Sequence, residues 1–149
     1  MVTADTSVSS SENSRNLREE WLERLSALMN DVRLWADELG WSTRAVPKPM
    51  RDFEFGPYEA NGLMLQKDYA KVLVEPIAQS APGAQGVVDF YLMPGLDDIA
   101  SLYFYDHAWH LHYAAPDSSV AATVVEAHPR PLTKESLGAV LQEMTADAL

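Results

Sequence analysis

Apolar residues in the first third of the chain recur at helical spacing. Leu17, Trp21, Leu25, Leu28, Val32, Trp35 and Leu39 follow one another at steps of four and three, laying a single apolar stripe along a helix. Leu22, Met29 and Leu34 widen the stripe, as a helix packed on a sheet requires. The heptad-like spacing stops before four heptads are complete, which favours a core helix over a coiled coil. Asn16 and Glu19 have the N-cap and N3 spacing of a capping box, and Gly40 supplies a left-handed residue on which to stop. Residues 1–13, rich in Ser and Thr with little to bury, are expected to be a disordered tail ahead of one domain spanning 14–149.

The period then changes. Trp41–Asp52 holds Pro47 and Pro49, which forbid a helix and favour an extended connector. Its Arg44, Lys48 and Arg51 are expected to lie against an acidic sheet rather than to bind an anion. Short strands follow at Phe53–Phe55, ended by Gly56-Pro57, and at Gly62–Gln66 and Ala70–Glu75, with a turn at Lys67-Asp68-Tyr69 and a stop at Pro76. Residues 77–86 are small and turn-rich, so they read as a loop.

Val87–Met93 and Ile99–Tyr105 flank Pro94–Asp98, where Pro94 and Gly95 suit the central positions of a type II turn. Pairing Met93 with Ile99 gathers Val88, Phe90, Leu92, Ala100, Leu102 and Phe104 on one face. Asp89, Tyr91, Ser101, Tyr103 and Tyr105 take the other. The next hairpin turns on one loop length. A three-residue loop, Asp106 to Ala108, would set His110 and His112 among the aliphatic residues. A loop of two or four residues instead sends Trp109, Leu111 and Tyr113 to the core and both histidines to the Asp89 face. Burying imidazoles without partners costs on the order of 1–3 kcal/mol per unsatisfied group, so the second register is expected.

A last strand is expected at Val120–Ala127, ended by Pro129 and Pro131. The closing helix has Thr133 as N-cap, Leu132 and Leu137 as a hydrophobic staple, and a buried face of Leu137, Val140, Leu141 and Met144. The predicted fold is therefore α+β: an antiparallel, curved sheet of about five to seven strands, with a long N-terminal and a short C-terminal helix packed on it.

Composition narrows the function classes. At 149 residues, 47% hydrophobic and 22% charged, the chain has the make-up of a soluble domain. It has no cysteine, which removes disulfide and thiolate chemistry and fits a reducing compartment. No apolar run approaches the ~20 residues of a membrane span, and the N-terminus lacks the basic start and apolar region of a secretory signal. A cytoplasmic protein with no membrane partner is expected.

The net charge of −11 is unevenly spread: Val72 to Pro129 contains no Lys or Arg but holds Glu75, Asp89, Asp97, Asp98, Asp106, Asp117 and Glu126. Such a segment repels a phosphate backbone, which argues against nucleic acid and for a basic protein or peptide.

The chemistry-bearing residues collect on the predicted polar face: Asp89, Tyr91, Tyr103, Tyr105, His110 and His112. Tyrosines suit a binding surface because each offers a broad apolar ring with a polar edge. Alternatively, His110 and His112 with Asp89 would form the ligand set of a divalent metal such as zinc, in a small metal-binding domain or metal-dependent hydrolase. Asp97-Asp98 lacks the further oxygens of a calcium loop. Glu75 with Asp89 lacks the basic residues of a nuclease. No phosphate loop, nucleophile elbow or H-E-x-x-H motif is present, so no catalytic residue is assigned. The leading expectation is a non-enzymatic acidic binding or adaptor domain, with homodimerisation through the helix stripe or a sheet edge as a further possibility.

Overall fold

A computed structural model describes residues 2–113 and 129–146. Helix α1 (Val2–Glu38) is followed by β1 (Ser42–Asp52), β2 (Gly56–Lys67), β3 (Ala70–Ala78), β4 (Val87–Leu92), β5 (Asp97–Tyr105), β6 (Ala108–Tyr113), β7 (Arg130–Pro131) and α2 (Lys134–Met144). The seven strands lie in chain order in one antiparallel, curved sheet. The fold is the predicted α+β arrangement.

The helical stripe forms the core as expected: Trp21, Leu25, Leu28, Met29 and Val32 are buried, and Trp35 and Leu39 pack partly against them. Ala36 is fully buried in line with Val32, a small residue that a search for large apolar side chains passes over. Leu17 and Leu34 lie outside the stripe, 36% and 48% exposed. The helix begins at Val2, so Asn16 and Glu19 sit within it and no capping box starts there. Residues 2–13, expected as a tail, follow the same helical path. Gly40 ends the helix at φ +89° in a Schellman motif, with the Trp41 N–H bonding the Ala36 carbonyl at 2.8 Å and the Gly40 N–H bonding Asp37 at 3.1 Å.

Several strand boundaries differ from the sequence reading. Trp41–Asp52 is not a connector: β1 pairs with β2 without interruption from Ser42–Gln66 to Asp52–Gly56. As an edge strand it tolerates Pro47 and Pro49. Phe53–Phe55 forms the hairpin tip instead of a strand, where Asp52 Oδ1 accepts the Glu54 N–H at 2.7 Å and Gly56 adopts φ +71°. Strand β3 runs through Pro76 to Ala78, with a register shift between those two residues.

Burial along β2 changes parity midway. Ala60 and Gly62 are buried, and then Leu63 and Leu65. A Cβ built on Gly62 would lie 2.7 Å from the Val74 carbonyl oxygen, so the two strands approach here closer than any side chain permits.

Strand β4 pairs Phe90 with Ala100 and Asp89 with Ser101, two residues away from the expected register. Over Val87–Phe90 this even offset keeps each side chain on its face, and a register shift after Phe90 then pairs Tyr91 with Asp98 and Leu92 with Asp97. The turn does not have the expected type II form: Leu96 is the left-handed residue, at φ +56°, and Gly95 is not.

Val72, Val74, Val88, Phe90, Ala100, Leu102 and Leu111 meet α1 in one core. Helix α2 completes it with Leu137, Val140, Leu141 and Met144, all four as predicted. Each such side chain contributes roughly 1.5–3 kcal/mol on burial. Thr133 caps α2 by accepting the Ser136 N–H at 3.1 Å, and Ser136 returns the bond to the Thr133 N–H at 2.8 Å. Strand β7, not anticipated from the sequence, pairs with His110 and Leu111. The expected strand Val120–Ala127 lies outside the described residues. Among the described residues, no helix is long and apolar enough to cross a membrane.

Candidate functional site: a tyrosine–histidine sheet face

The β5–β6 loop has two residues. Asp106 and His107 both adopt left-handed conformations, at φ +50° and +61°, as a type I′ hairpin requires, and Tyr105 pairs with Ala108. Parity follows from that loop. Leu111 and Tyr113 are buried in the core and Trp109 packs partly against it, while Tyr103 stands opposite His110 and Ser101 opposite His112. The histidines thus share a face with Asp89, in the register that spares buried imidazoles an aliphatic setting. None of Asp89, Tyr91, Ser101, Tyr103, Tyr105, His110 and His112 belongs to the core cluster.

Across the sheet, Asp89, Ser101 and His112 form one row on β4, β5 and β6. Asp89 is 9% exposed, and its carboxylate accepts the Ser101 hydroxyl at 2.7 Å and the Tyr91 hydroxyl at 3.2 Å. Hydroxyl donors to a carboxylate fix its orientation without neutralising its charge. Beside it on β3, Glu75 faces Asp89 across the ladder and is balanced by Lys48 Nζ at 3.3 Å. Lys48 also donates to the Pro76 carbonyl at 2.8 Å, which places this part of the basic β1 segment against the acidic sheet.

The rings form a second cluster. Tyr105 stacks on His110 with centroids 3.8 Å apart and planes 8° from parallel. Tyr103 meets His112 edge-on at 4.8 Å, and Tyr105 reaches His112 at 6.4 Å. His110 Nδ1 and His112 Nε2 are buried, and neither has a hydrogen-bond partner among the described residues. Burial, and then the neighbouring His110, lower the His112 pKa below the ordinary imidazole value.

A groove of about 510 Å³ opens beside these rings, walled by Ala81, Pro82, Gly83 and Ala84 on one side and by Tyr103, Tyr105 and His112 on the other. The 79–86 loop is held there by the Gln85 N–H to the Phe104 carbonyl at 2.7 Å and by Arg24, which donates to the Gln85 carbonyl at 2.9 Å. Arg24 also lies over the ring of Phe104 at 4.2 Å; Phe104, expected in the core, is only partly buried. The groove wall was not readable from sequence. Its one signal is the run of small residues, whose short side chains leave the space empty. A separate groove of about 340 Å³ lies between α1 and the β1–β2 hairpin, with Leu25 and Met29 facing Ala45 and Leu63.

No family model, curated protein or solved structure matches this chain.

The residues themselves must carry the reading, and they do not assemble the alternative metal set. Asp89 and His112 stand on β4 and β6 with Ser101 of β5 between them, and both Asp89 carboxylate oxygens accept hydroxyls, from Ser101 and Tyr91. Among the described residues, no group of three His, Asp or Glu side chains is placed to hold a metal ion. His107 is exposed in the turn.

Proposed function

We propose that this chain is a non-enzymatic binding or adaptor domain that takes a basic protein or peptide segment on its tyrosine–histidine sheet face. The observation that carries the reading is the ordered ring cluster of Tyr103, Tyr105, His110 and His112 beside an open groove. The cluster lies within a stretch, Val72 to Pro129, that contains no Lys or Arg. Half-buried tyrosines offer broad apolar contact, and aromatic faces attract ammonium and guanidinium groups. The buried Asp89 carboxylate adds fixed negative charge to the same face. A chain without cysteine is at home in the cytoplasm, where we place this activity.

Titration with a Lys/Arg-rich peptide tests the proposal. Binding is expected at low salt and should weaken steeply as salt screens the charges. Tyr103→Ala combined with Tyr105→Ala should reduce affinity at least tenfold while circular dichroism shows the fold retained. Absence of binding at low salt, or affinity unchanged in the double variant, would rule the proposal out.

A further inference from the structure

The two histidines give this face a second property. Lying two residues apart on β6, they project from the same side at a spacing of about 6.5–7 Å. Each is already packed: His110 flat on Tyr105, His112 edge-on to Tyr103. A neutral imidazole carries one N–H and leaves its other nitrogen as an acceptor, whereas an imidazolium must place two N–H donors. His110 Nδ1 and His112 Nε2 are buried without partners, so protonating either ring puts an N–H where no described group accepts it. Protonating both sets two cations side by side.

Among the described residues, no group accepts a hydrogen bond from the buried nitrogen of either ring, and the nearest anion in the His112 row, Asp89, is separated from His112 by Ser101 on β5. On β5 the rings face Ser101, Tyr103 and Tyr105, and on β7 Pro131 stands opposite His110 while Arg130 pairs with Leu111. Asp89 on β4 is engaged by Ser101 and Tyr91, and Glu75 on β3 by Lys48. Asp106 and His107 sit in the exposed turn, and the 79–86 loop has no charged side chain.

We infer that His110 and His112 make this face an acid-sensitive gate, packed for a basic partner at neutral pH and remodelled, with release of that partner, when the pair takes up protons. The inference rests on the reading of the face as a binding surface. Its sign follows from the packing. The native arrangement fits neutral rings, and His112, buried and beside His110, binds its proton more weakly than usual. The packing is therefore complete above the ordinary imidazole range near pH ~6.5 and is lost as pH falls through the lowered value. Release has two causes: imidazolium repels Lys and Arg, and the departing rings break the Tyr103–Tyr105 wall of the groove.

Two measurements on the full chain test this separately. By NMR between pH 7.5 and 5.0, His112 is expected to titrate below the ordinary imidazole range, and the Tyr103 and Tyr105 ring signals to move in step with it. Affinity for the Lys/Arg-rich peptide is expected to be at least tenfold weaker at pH 5.5 than at pH 7.5. His110→Gln with His112→Gln should reduce that ratio to within twofold, and His107→Gln should leave it unchanged. Tyrosine signals that ignore the histidine titration, or a double variant with the wild-type pH dependence, would overturn the gate. Absence of peptide binding at both pH values would instead defeat the binding reading and with it the release step, while the ring signals still decide whether the face rearranges.

Discussion

Replacing Gly62 by alanine isolates a single steric contact. The added methyl would lie 2.7 Å from the Val74 carbonyl oxygen, 3.4 Å from Pro76 Cδ and 3.7 Å from Glu75 Cα. All three belong to the backbone or to a proline ring, so no flexible side chain can swing aside. Gly62 does not occupy the left-handed region, and alanine can adopt its backbone conformation. Without the clash, loss of glycine's freedom in the unfolded chain would stabilise the protein by about 0.4–1 kcal/mol. Overpacking against a fixed backbone costs about 1–3 kcal/mol, so the balance is a net loss of about 1 kcal/mol at the middle of both ranges and at most about 2.5 kcal/mol. For a chain of this size the middle value lowers the melting temperature by roughly 2–4 °C. Gly83→Ala is the control, because Gly83 has φ +79° and nothing within 4 Å of its added carbon. Its loss is conformational alone, about 1–2 kcal/mol. Thermal and urea unfolding of both variants decide the matter. A Gly62→Ala protein melting at or above the wild type would show that β2 and β3 are not in fixed close approach.

Two further substitutions address other parts of the fold. Asp106→Asn with His107→Gly supplies the residues a type I′ turn prefers, and should raise the melting temperature by about 2–4 °C through relief of roughly 1 kcal/mol of left-handed strain; no gain in a thermal scan would contradict the two-residue loop. Tyr58 accepts the Trp21 indole N–H at 2.9 Å, and burial raises its hydroxyl pKa. Since the neutral phenol fits the fold, stability should decline as pH rises past about 10. Tyr58→Phe should remove that part of the alkaline loss, as read by urea unfolding at pH 9 and 11.

What the sequence disclosed followed the range of the forces involved. The α1 stripe, the Gly40 stop and the Thr133 cap depend on neighbours within four or five residues, so their signals are local. The sides of β4, β5 and β6 were legible because a face needs only parity: over Val87–Phe90 the register slipped by two residues, so Val88 and Phe90 stayed in the core and Asp89 on the polar side. The histidines fell on the expected side because the two-residue turn at Asp106-His107 sends Leu111 and Tyr113 to the core, although the cost invoked for that choice is not escaped, since one nitrogen of each ring is buried without a partner here too. The β1 strand was missed because Pro47 and Pro49 exclude a segment from a sheet's interior but not from its edge, and edge position depends on what lies alongside. Parity was also too weak to test the metal set, since it sets a face but not the distance between Asp89 and His112. The groove wall at Ala81–Ala84 belongs to a loop whose position is set by Phe104 and Arg24, far away in the chain.

The two prolines of β1 also govern how the molecule meets its own copies. They are two residues apart, so their missing N–H groups fall on the same margin of the strand, and the unbroken ladder to β2 identifies that margin as the outer one. A strand arriving there from another molecule finds adjacent gaps where it needs donors. Among the described residues, the opposite flank of the sheet ends in β7, only two residues long and itself carrying Pro131. A meander of this length is a natural template for strand-by-strand polymerisation, and proline at the margins is one of the means by which such growth is stopped. What reads locally as a pair of awkward residues in an extended segment thus helps keep a seven-stranded sheet from seeding a fibre.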